Sequence, residues 1–384
     1  MSKEILTIGH SFIVDTNREM FNELGAMDNV TVDIVVPKNW KSNLIKSLKF
    51  SRNIDTDDHF RAIYPLDVFY QGNASFFIFS PLKLIQILKR TKYDRIFLAQ
   101  ETWSLSLLFL NICKFFTINK KTQIDLWVCQ NIKKKHLYWM RFFERLNTYQ
   151  VKNILHCCGE IRDVIKWKGI KNSCKYFPFS FNPTKYLENF ELKINQAVKN
   201  EITLGHLGRL SEEKGITQLL STVEELQKDN PNIKFIIGGG GELEEEVKNF
   251  CGQAPNRKFL GVLEHSKAHL FYRDIDIFLL TSQTRDFWKE QFGRVIIEAA
   301  ASGCSFVGSN SGAIPEVMSK MELPFVYNES SDTDLKLKVN QAMSELSQDN
   351  YKDLQKRRHQ MAMKSFSHKA VASLYYSYLD KSHD

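Results

Sequence analysis

Residues 202–241 read ITLGHLGRLSEEKGITQLLSTVEELQKDNPNIKFIIGGGG. Ile202–Leu207 is a short apolar run closed by a turn. Ile216, Leu219, Leu220, Val223 and Leu226 then recur at helical spacing. Lys234–Ile237 is a second apolar run, ended by Gly238, Gly239, Gly240 and Gly241. Strand, helix, strand is the unit of a parallel sheet, and it continues toward the C-terminus. Strands are expected at Lys258–Leu260, Ile275–Leu280, Cys304–Gly308 and Phe325–Tyr327. Helices are expected after Glu242, near Ser266–Tyr272, over Gly293–Ser302 and from Pro315.

The first half alternates in the same style. Strands are expected at Glu4–Ile8, Thr31–Val36, Asp94–Ala99, Ile124–Cys129, Val151–Cys157 and Lys175–Phe179. Helices are expected over Thr16–Leu24, after Trp103 and, rich in basic residues, through Lys133–Leu146. The chain therefore reads as α/β, with two doubly wound Rossmann-like domains. They are assigned to residues 1–182 and 183–365, divided at Pro183, with a C-terminal helix over 366–384. Two such domains facing one another place a cleft at the carboxyl ends of both sheets, where open α/β sheets bind ligands.

The composition, 384 residues with 43% hydrophobic and 25% charged, excludes a largely disordered chain. Seven cysteines without a spaced Cys/His quartet argue against a disulfide scaffold or a zinc module and for a reducing, cytoplasmic setting. The net charge of +8 divides unevenly: residues 1–200 carry 30 Lys+Arg against 18 Asp+Glu, and residues 201–384 carry 22 against 26. A basic first half suits an anionic partner, whether nucleic acid, an acidic membrane surface or a phosphorylated acceptor. No recognition helix or aromatic RNA-binding signature accompanies it, which sets nucleic acid aside. Ser75–Leu88 and Ser104–Ile118 are apolar but too short to span a bilayer, and they read as buried helices. Basic and apolar residues alternating over Ser42–Phe50 and the run Lys133–Lys135 make an anionic membrane surface a candidate partner at the inner face.

Two stretches carry chemistry. In EQFGRVIIE, Glu290 precedes a helix and Glu298 is expected about two turns inside it, buried in an apolar run. A helix start beside Phe292 and Gly293 offers backbone amides to an anion, and a carboxylate accepts two hydrogen bonds from a sugar diol. The same residues also read as a helix-terminal charge and a satisfied core glutamate. In GRLSEEKG, Gly208 allows close backbone approach, while Arg209 and Lys214 flank the turn into a helix. Such a pair suits a diphosphate leaving group, and it equally reads as two solvated loop charges. Asp274 and Asp276 read as solvated strand-end charges, and Cys157–Cys158 as packing residues at a strand.

Together these segments resemble the family 4 glycosyltransferases of the GT-B fold. The resemblance is carried by Gly208-Arg-Leu with Glu213-Lys-Gly215, Gly238–Gly241, Asp276-Ile-Phe-Leu-Leu-Thr-Ser282, Glu290–Glu298 with Ala299–Gly303, and Ser311-Gly-Ala-Ile-Pro-Glu-Val317. It implies that Arg209 and Lys214 hold the donor diphosphate, that Glu290 contacts the donor sugar and that Glu298 holds the ribose. Amides near Phe292 and Gly293 would touch the sugar, with Gly208 and Gly240 at the donor as well. On the acceptor side the resemblance is looser. It rests on Gln130-Asn131, Arg141-Phe-Phe-Glu144, Val164–Gly169 and Phe177–Asn182, where Asn182 stands in place of the usual aspartate. Gly9 and His10 follow the first strand, and His10 either reaches the acceptor or is a loop residue. Glu101 either lies near the reacting sugar or is the N-terminal charge of the next helix.

The resemblance further implies a last helix that packs back on the first domain and transfer from a nucleotide-diphosphate sugar to a sugar or lipid-linked acceptor hydroxyl. Transfer would retain configuration, need neither metal nor cofactor, and serve cell-surface polysaccharide or glycolipid synthesis. The alternatives are a nucleotide-sugar epimerase of the same fold and a non-catalytic partner subunit.

Overall fold

The computed structural model describes residues 2–41, 47–53, 57–134, 138–195, 201–264 and 267–380. The chain forms two compact units, Met1–Ser180 with His368–Asp384, and Phe181–Ser367.

The first unit begins β1 (Lys3–Gly9), α1 (Glu19–Gly25), β2 (Val30–Pro37), β3 (Asn39–Trp40), β4 (Leu48–Lys49), β5 (Phe60–Leu66), β6 (Val68–Phe69) and β7 (Ile78–Phe79). It continues α2 (Pro81–Arg90), β8 (Arg95–Ala99), α3 (Leu105–Phe115), β9 (Gln123–Val128), α4 (Tyr138–Thr148), β10 (Val151–His156), α5 (Gly159–Trp167) and β11 (Ser173–Tyr176). Seven strands form one parallel sheet in the order β11-β10-β9-β8-β1-β2-β5. All five residues of β8 are buried, as a parallel strand covered on both faces requires.

The second unit holds α6 (Thr184–Ile194), β12 (Ile202–Leu207), α7 (Ile216–Asp229), β13 (Ile233–Gly238), α8 (Glu244–Gly252), β14 (Arg257–Phe259), α9 (Ala268–Asp274) and β15 (Ile277–Leu280). Then come α10 (Arg294–Ala301), β16 (Ser305–Ser309), α11 (Ile314–Ser319), β17 (Phe325–Tyr327), α12 (Asp332–Leu346) and α13 (Tyr351–Phe366). Its six parallel strands run β14-β13-β12-β15-β16-β17. The stripe Ile216, Leu219, Leu220, Val223 and Leu226 is buried against Phe235, Ile277 and Val307 in one core. After α13 the chain returns to the first unit as α14 (His368–Asp380). There Val371, Ala372 and Tyr375 pack beside Phe21 and Phe97, and the Tyr375 hydroxyl donates to Asp125 at 2.9 Å.

In each sheet the strand order reverses beside the first strand: between β1 and β8, and between β12 and β15. Loops leaving those strands diverge to opposite faces and open a crevice at their carboxyl ends.

Several sequence expectations are corrected. The basic helix begins at Tyr138, not Lys133, and Lys133 and Lys134 lie in coil. Lys135 and Ser42–Lys46 fall outside the described residues. The strand expected through Cys157 ends at His156, and Cys158 caps α5. Ser104–Ile118 is not a buried helix: α3 exposes Ile112 and Phe115, and Phe116 and Ile118 beyond its end are exposed as well. Sequence periodicity overlooked α6, α12 and the edge strand β5, whose apolar residues are fewer or interrupted by charge. No described helix is long and apolar enough to cross a membrane.

Candidate active site

The loops leaving β12 and β15 meet at the second unit's reversal point. Lys214 Nζ lies 2.6 Å from Glu290 Oε2, across 76 residues of sequence. Ser282, just past β15, donates to the same carboxylate oxygen at 3.0 Å. Lys214 Nζ also sits 4.7 Å above the Trp288 ring, a cation–π contact. Burial pushes the Glu290 carboxyl up, but the Lys214 ammonium and the bonds from Ser282 and the Gln291 backbone outweigh it and hold the group below the usual carboxylate range. Glu290 is fixed by its backbone as well, because its carbonyl accepts from Ala313 N at 3.0 Å. The Ser311–Val317 segment is thus a brace for Glu290.

Arg209 stands at the rim, its side chain 43% exposed, with Nη1 3.0 Å from Glu213 Oε1. The turn that presents it is clamped by the glycine run: Leu210 N donates to the Gly240 carbonyl at 3.0 Å and Gly208 N to the Gly238 carbonyl at 3.1 Å. Gly239 has φ 140°, and a Cβ there would lie 1.8 Å from the Gly208 carbonyl oxygen, so only glycine lets the two loops pass. Gly240 therefore supports the Arg209 turn through its backbone. Gly293 takes the left-handed conformation, φ 76°, as N-cap of α10, and no side chain caps that end. Phe292 is buried, its ring 5.9 Å from Phe366.

Glu298 is the fifth residue of α10, about one turn inside rather than two, and it is half-buried rather than buried. The Tyr272 hydroxyl donates to its Oε2 at 2.7 Å. The described contacts join Glu290 to Lys214, while Glu298 has its own partner. Asp276 does not stand free at a strand end: its Oδ2 accepts from Thr203 N at 2.9 Å, tying β12 to β15.

One buried group beside this cluster escaped the sequence reading. His206, in β12, is fully buried, and its Nδ1 lies 2.9 Å from the Leu279 carbonyl. A carbonyl only accepts, so Nδ1 carries the proton and Nε2 is an acceptor. That Nε2 has no hydrogen-bond partner among the described residues, and it is the nearest atom to where a Gly208 Cβ would stand, at 3.4 Å. Burial, aided by the Lys214 charge, lowers the His206 pKa to about 4. Ser282, Trp288, Glu213 and Tyr272 were also missed as site residues. Ser282 and Glu213 had a signal, since both stand in the motifs that carry the resemblance.

The first unit gathers its candidates in the corresponding place. His10 follows β1 and Gln100 follows β8, with Gln100 Nε2 3.3 Å from His10 Nδ1. The His10 ring lies 4.8 Å from Trp40 and 5.3 Å from Phe77, and burial lowers its pKa to about 4. A Cβ on Gly9 would stand 2.8 Å from the Phe12 ring. Glu101 does not sit in the first turn of α3, where Ser104 is the cap. Its Oε1 accepts from Cys129 N at 2.9 Å and Gln130 N at 3.0 Å, the backbone just past β9. Burial raises the Glu101 pKa, partly offset by those bonds and by Lys168. The Gln130 amide oxygen accepts from Lys168 Nζ at 3.4 Å, and Asn131 Nδ2 donates to Glu160 at 3.2 Å. Gly9, His10, Glu101, Gln130 and Asn131 therefore share the carboxyl ends of β1, β8 and β9.

Residues 188–362 match the family model of the glycosyl transferases group 1. The gpi3 subunit of a phosphatidylinositol N-acetylglucosaminyltransferase from Schizosaccharomyces pombe is 28% identical over 149 residues, 38% of this chain and 31% of that protein. The corresponding human phosphatidylinositol N-acetylglucosaminyltransferase chain is 36% identical over 122 residues, 31% of this chain and 24% of that one. The matches thus span about a quarter to a third of those relatives. Among solved structures, Anabaena HepE in complex with UDP superposes with a TM-score of 0.69 at 16% identity, covering 98% of this chain and 99% of that one. A glycosyltransferase from Rickettsia africae reaches 0.71 at 13% identity, over 99% and 98%. The two Rossmann-like units are those of the GT-B fold, and residues 188–362 are similar to the group 1 glycosyltransferases, in line with the family 4 type that the motifs resemble.

Proposed function

We propose that this protein transfers a sugar from a nucleotide-diphosphate donor to an acceptor hydroxyl with retention of configuration, as a hexosyltransferase. The observation that carries the reading is the Lys214–Glu290 pair, held at 2.6 Å where the strand order of the second sheet reverses. A half-buried cation beside a carboxylate fixed from its backbone suits a group that is anionic at one end and rich in hydroxyls at the other.

In this reading Arg209 exchanges Glu213 for the diphosphate and grips it as a fork, and Lys214 adds a second positive charge. Glu290 orients the donor sugar, the amides at Phe292 and Gly293 touch it, and Glu298 with Tyr272 holds the ribose. The bond between the anomeric carbon and the phosphate oxygen breaks as the acceptor oxygen bonds to that carbon on the same face. The acceptor proton passes to the departing phosphate oxygen, so the step requires no strong protein base. The two cations meet the charge that develops on the leaving group, and the proposal calls on neither metal nor cofactor. Gly9, His10, Gln130 and Asn131 bind the acceptor, with Glu101 set near the reacting sugar.

The UDP bound to HepE supports a uridine donor, and the phosphatidylinositol named for two relatives supports a lipid-linked acceptor. Such an acceptor places the work in glycolipid or surface polysaccharide synthesis, with the protein in the cytoplasm at the inner face of a membrane. The test is a thermal-shift panel of UDP-, GDP-, ADP- and TDP-sugars. One donor raises the melting temperature, because a ligand bound only by the folded state stabilises it. If none does, the donor site is refuted. Incubation with that donor alone must leave it unchanged, whereas an epimerase would convert it.

A further inference from the structure

From Arg141 onward helix α4 is inverted. The buried side chains of this part are polar: Glu144 accepts from Thr102 at 2.5 Å and from Lys168 at 2.8 Å, and Asn147 and Thr148 are buried beside it. Apolar side chains of the same part face out, with Phe142 66% exposed, Leu146 54%, and Tyr149, one residue past the helix end, 87%. These three recur at i, i+4 and i+7 and form one stripe. The helix α3 packs alongside, tied by Asn111 Nδ2 to the Asn147 carbonyl at 3.1 Å, and it adds Ile112 and Phe115, the latter 69% exposed. Between the two helices lies an apolar groove of about 390 Å³. An apolar surface this continuous is unfavourable in water, and water is not the medium that a helix with its polar side inward is built for.

Charge identifies the medium. From Thr102 to Cys158 the sequence has two carboxylates, Asp125 and Glu144, and both are buried. Lys120 and Lys121 follow α3, Arg141 and Arg145 flank the α4 stripe, and all four are exposed. No described carboxylate pairs with any of them. A segment that is apolar at its centre and cationic at its edge, with no exposed carboxylate of its own, matches an anionic bilayer most simply.

We propose that the α3–α4 face is a membrane-docking surface, in which Phe115, Phe142, Leu146 and Tyr149 enter the headgroup region of an anionic bilayer while Lys120, Lys121, Arg141 and Arg145 meet its phosphates. The inference goes beyond the donor chemistry, and nothing in it depends on which sugar is transferred.

The test is flotation of the full chain with vesicles of phosphatidylcholine and phosphatidylglycerol in equal parts, against phosphatidylcholine alone. The protein floats with the anionic vesicles and is largely released at 1 M salt. Arg141→Gln with Arg145→Gln lowers partitioning about thirtyfold, the equivalent of about 1 kcal/mol for each charge. Phe115→Ser with Tyr149→Ser lowers it at least about tenfold. All these side chains are exposed, so melting temperatures and donor-induced thermal shifts stay at their parent values, which separates this result from failure of the donor site. The proposal is overturned if the chain ignores anionic vesicles, if neither double variant changes flotation, or if light scattering finds a stable dimer that Phe115→Ser with Tyr149→Ser dissociates. The last outcome would mean that a second copy covers the face.

Discussion

The two strand-order reversals are built from opposite materials. At β12 and β15 the loops present charge held by charge: Lys214 on Glu290 and Arg209 on Glu213. At β1 and β8 they present a neutral imidazole between aromatic rings and a carboxylate turned onto backbone amides. In the proposed function the first arrangement exchanges a carboxylate partner for a phosphate. The second is suited to a neutral hydroxyl-bearing group. One topology used twice thus carries two different side-chain chemistries.

The largest effect expected from breaking this contrast is Lys214→Ala. It strands the buried Glu290 carboxylate and lowers stability by about 3 kcal/mol, read by urea unfolding, besides abolishing transfer. Adding Glu290→Gln recovers most of the stability and none of the turnover. A Lys214→Ala protein as stable as its parent would show that the pair is solvated and weak. Arg209→Ala, next in size, acts on turnover only. Losing one transition-state contact lowers kcat by about two to three powers of ten. Its exposed bond to Glu213 contributes little to folding, so the urea midpoint stays put. Near-normal turnover by this variant would remove Arg209 from the donor site.

A pH titration sharpens the comparison at both reversals. His10 and His206 have folded pKa values near 4, below the ordinary 6.5. As pH falls through 6.5 the unfolded chain takes the proton first. Stability is therefore full above pH 6.5 and declines between 6.5 and 4, by at most about 1.4 kcal/mol per pH unit for each histidine. His206→Leu should remove one histidine's share of that slope, and an unchanged slope would mean that the unfolded-state difference lies elsewhere. The smallest effect is Glu101→Gln. The amide oxygen still accepts from the β9 backbone, more weakly than a carboxylate, but the substitution also removes a charge that burial disfavours, so stability in thermal unfolding changes by less than about 1 kcal/mol. A larger loss would show the charge itself to be structural.

The strands of the second unit and most of its helices, though not α6 and α12, were legible because their periodicity is local: β12 and β17 lie where the apolar runs stand, and α7 carries the stripe on one face. Less was legible in the first unit. Ser104–Ile118 misled because its apolar residues were read as buried, whereas Ile112, Phe115, Phe116 and Ile118 are exposed. At the second unit's reversal point, the paired motifs marked Arg209, Lys214, Glu290 and Glu298 as a group. They did not indicate that Glu290 has Lys214 and Ser282 for partners while Glu298 has Tyr272. Glu298 also lies nearer the helix start and the surface than its apolar neighbours suggested.

By itself the sequence determined the alternation of strand and helix, the two-unit architecture and the loops in which charge and glycine collect. Each of these follows from residue spacing along a few turns of chain. Tertiary structure alone decided which charges meet, that His206 loses water, that the glycine run clamps the Arg209 turn, and which side of α4 faces out. Those outcomes depend on burial and on contacts between residues far apart in the chain, such as the 76 residues between Lys214 and Glu290, and local periodicity carries no record of them.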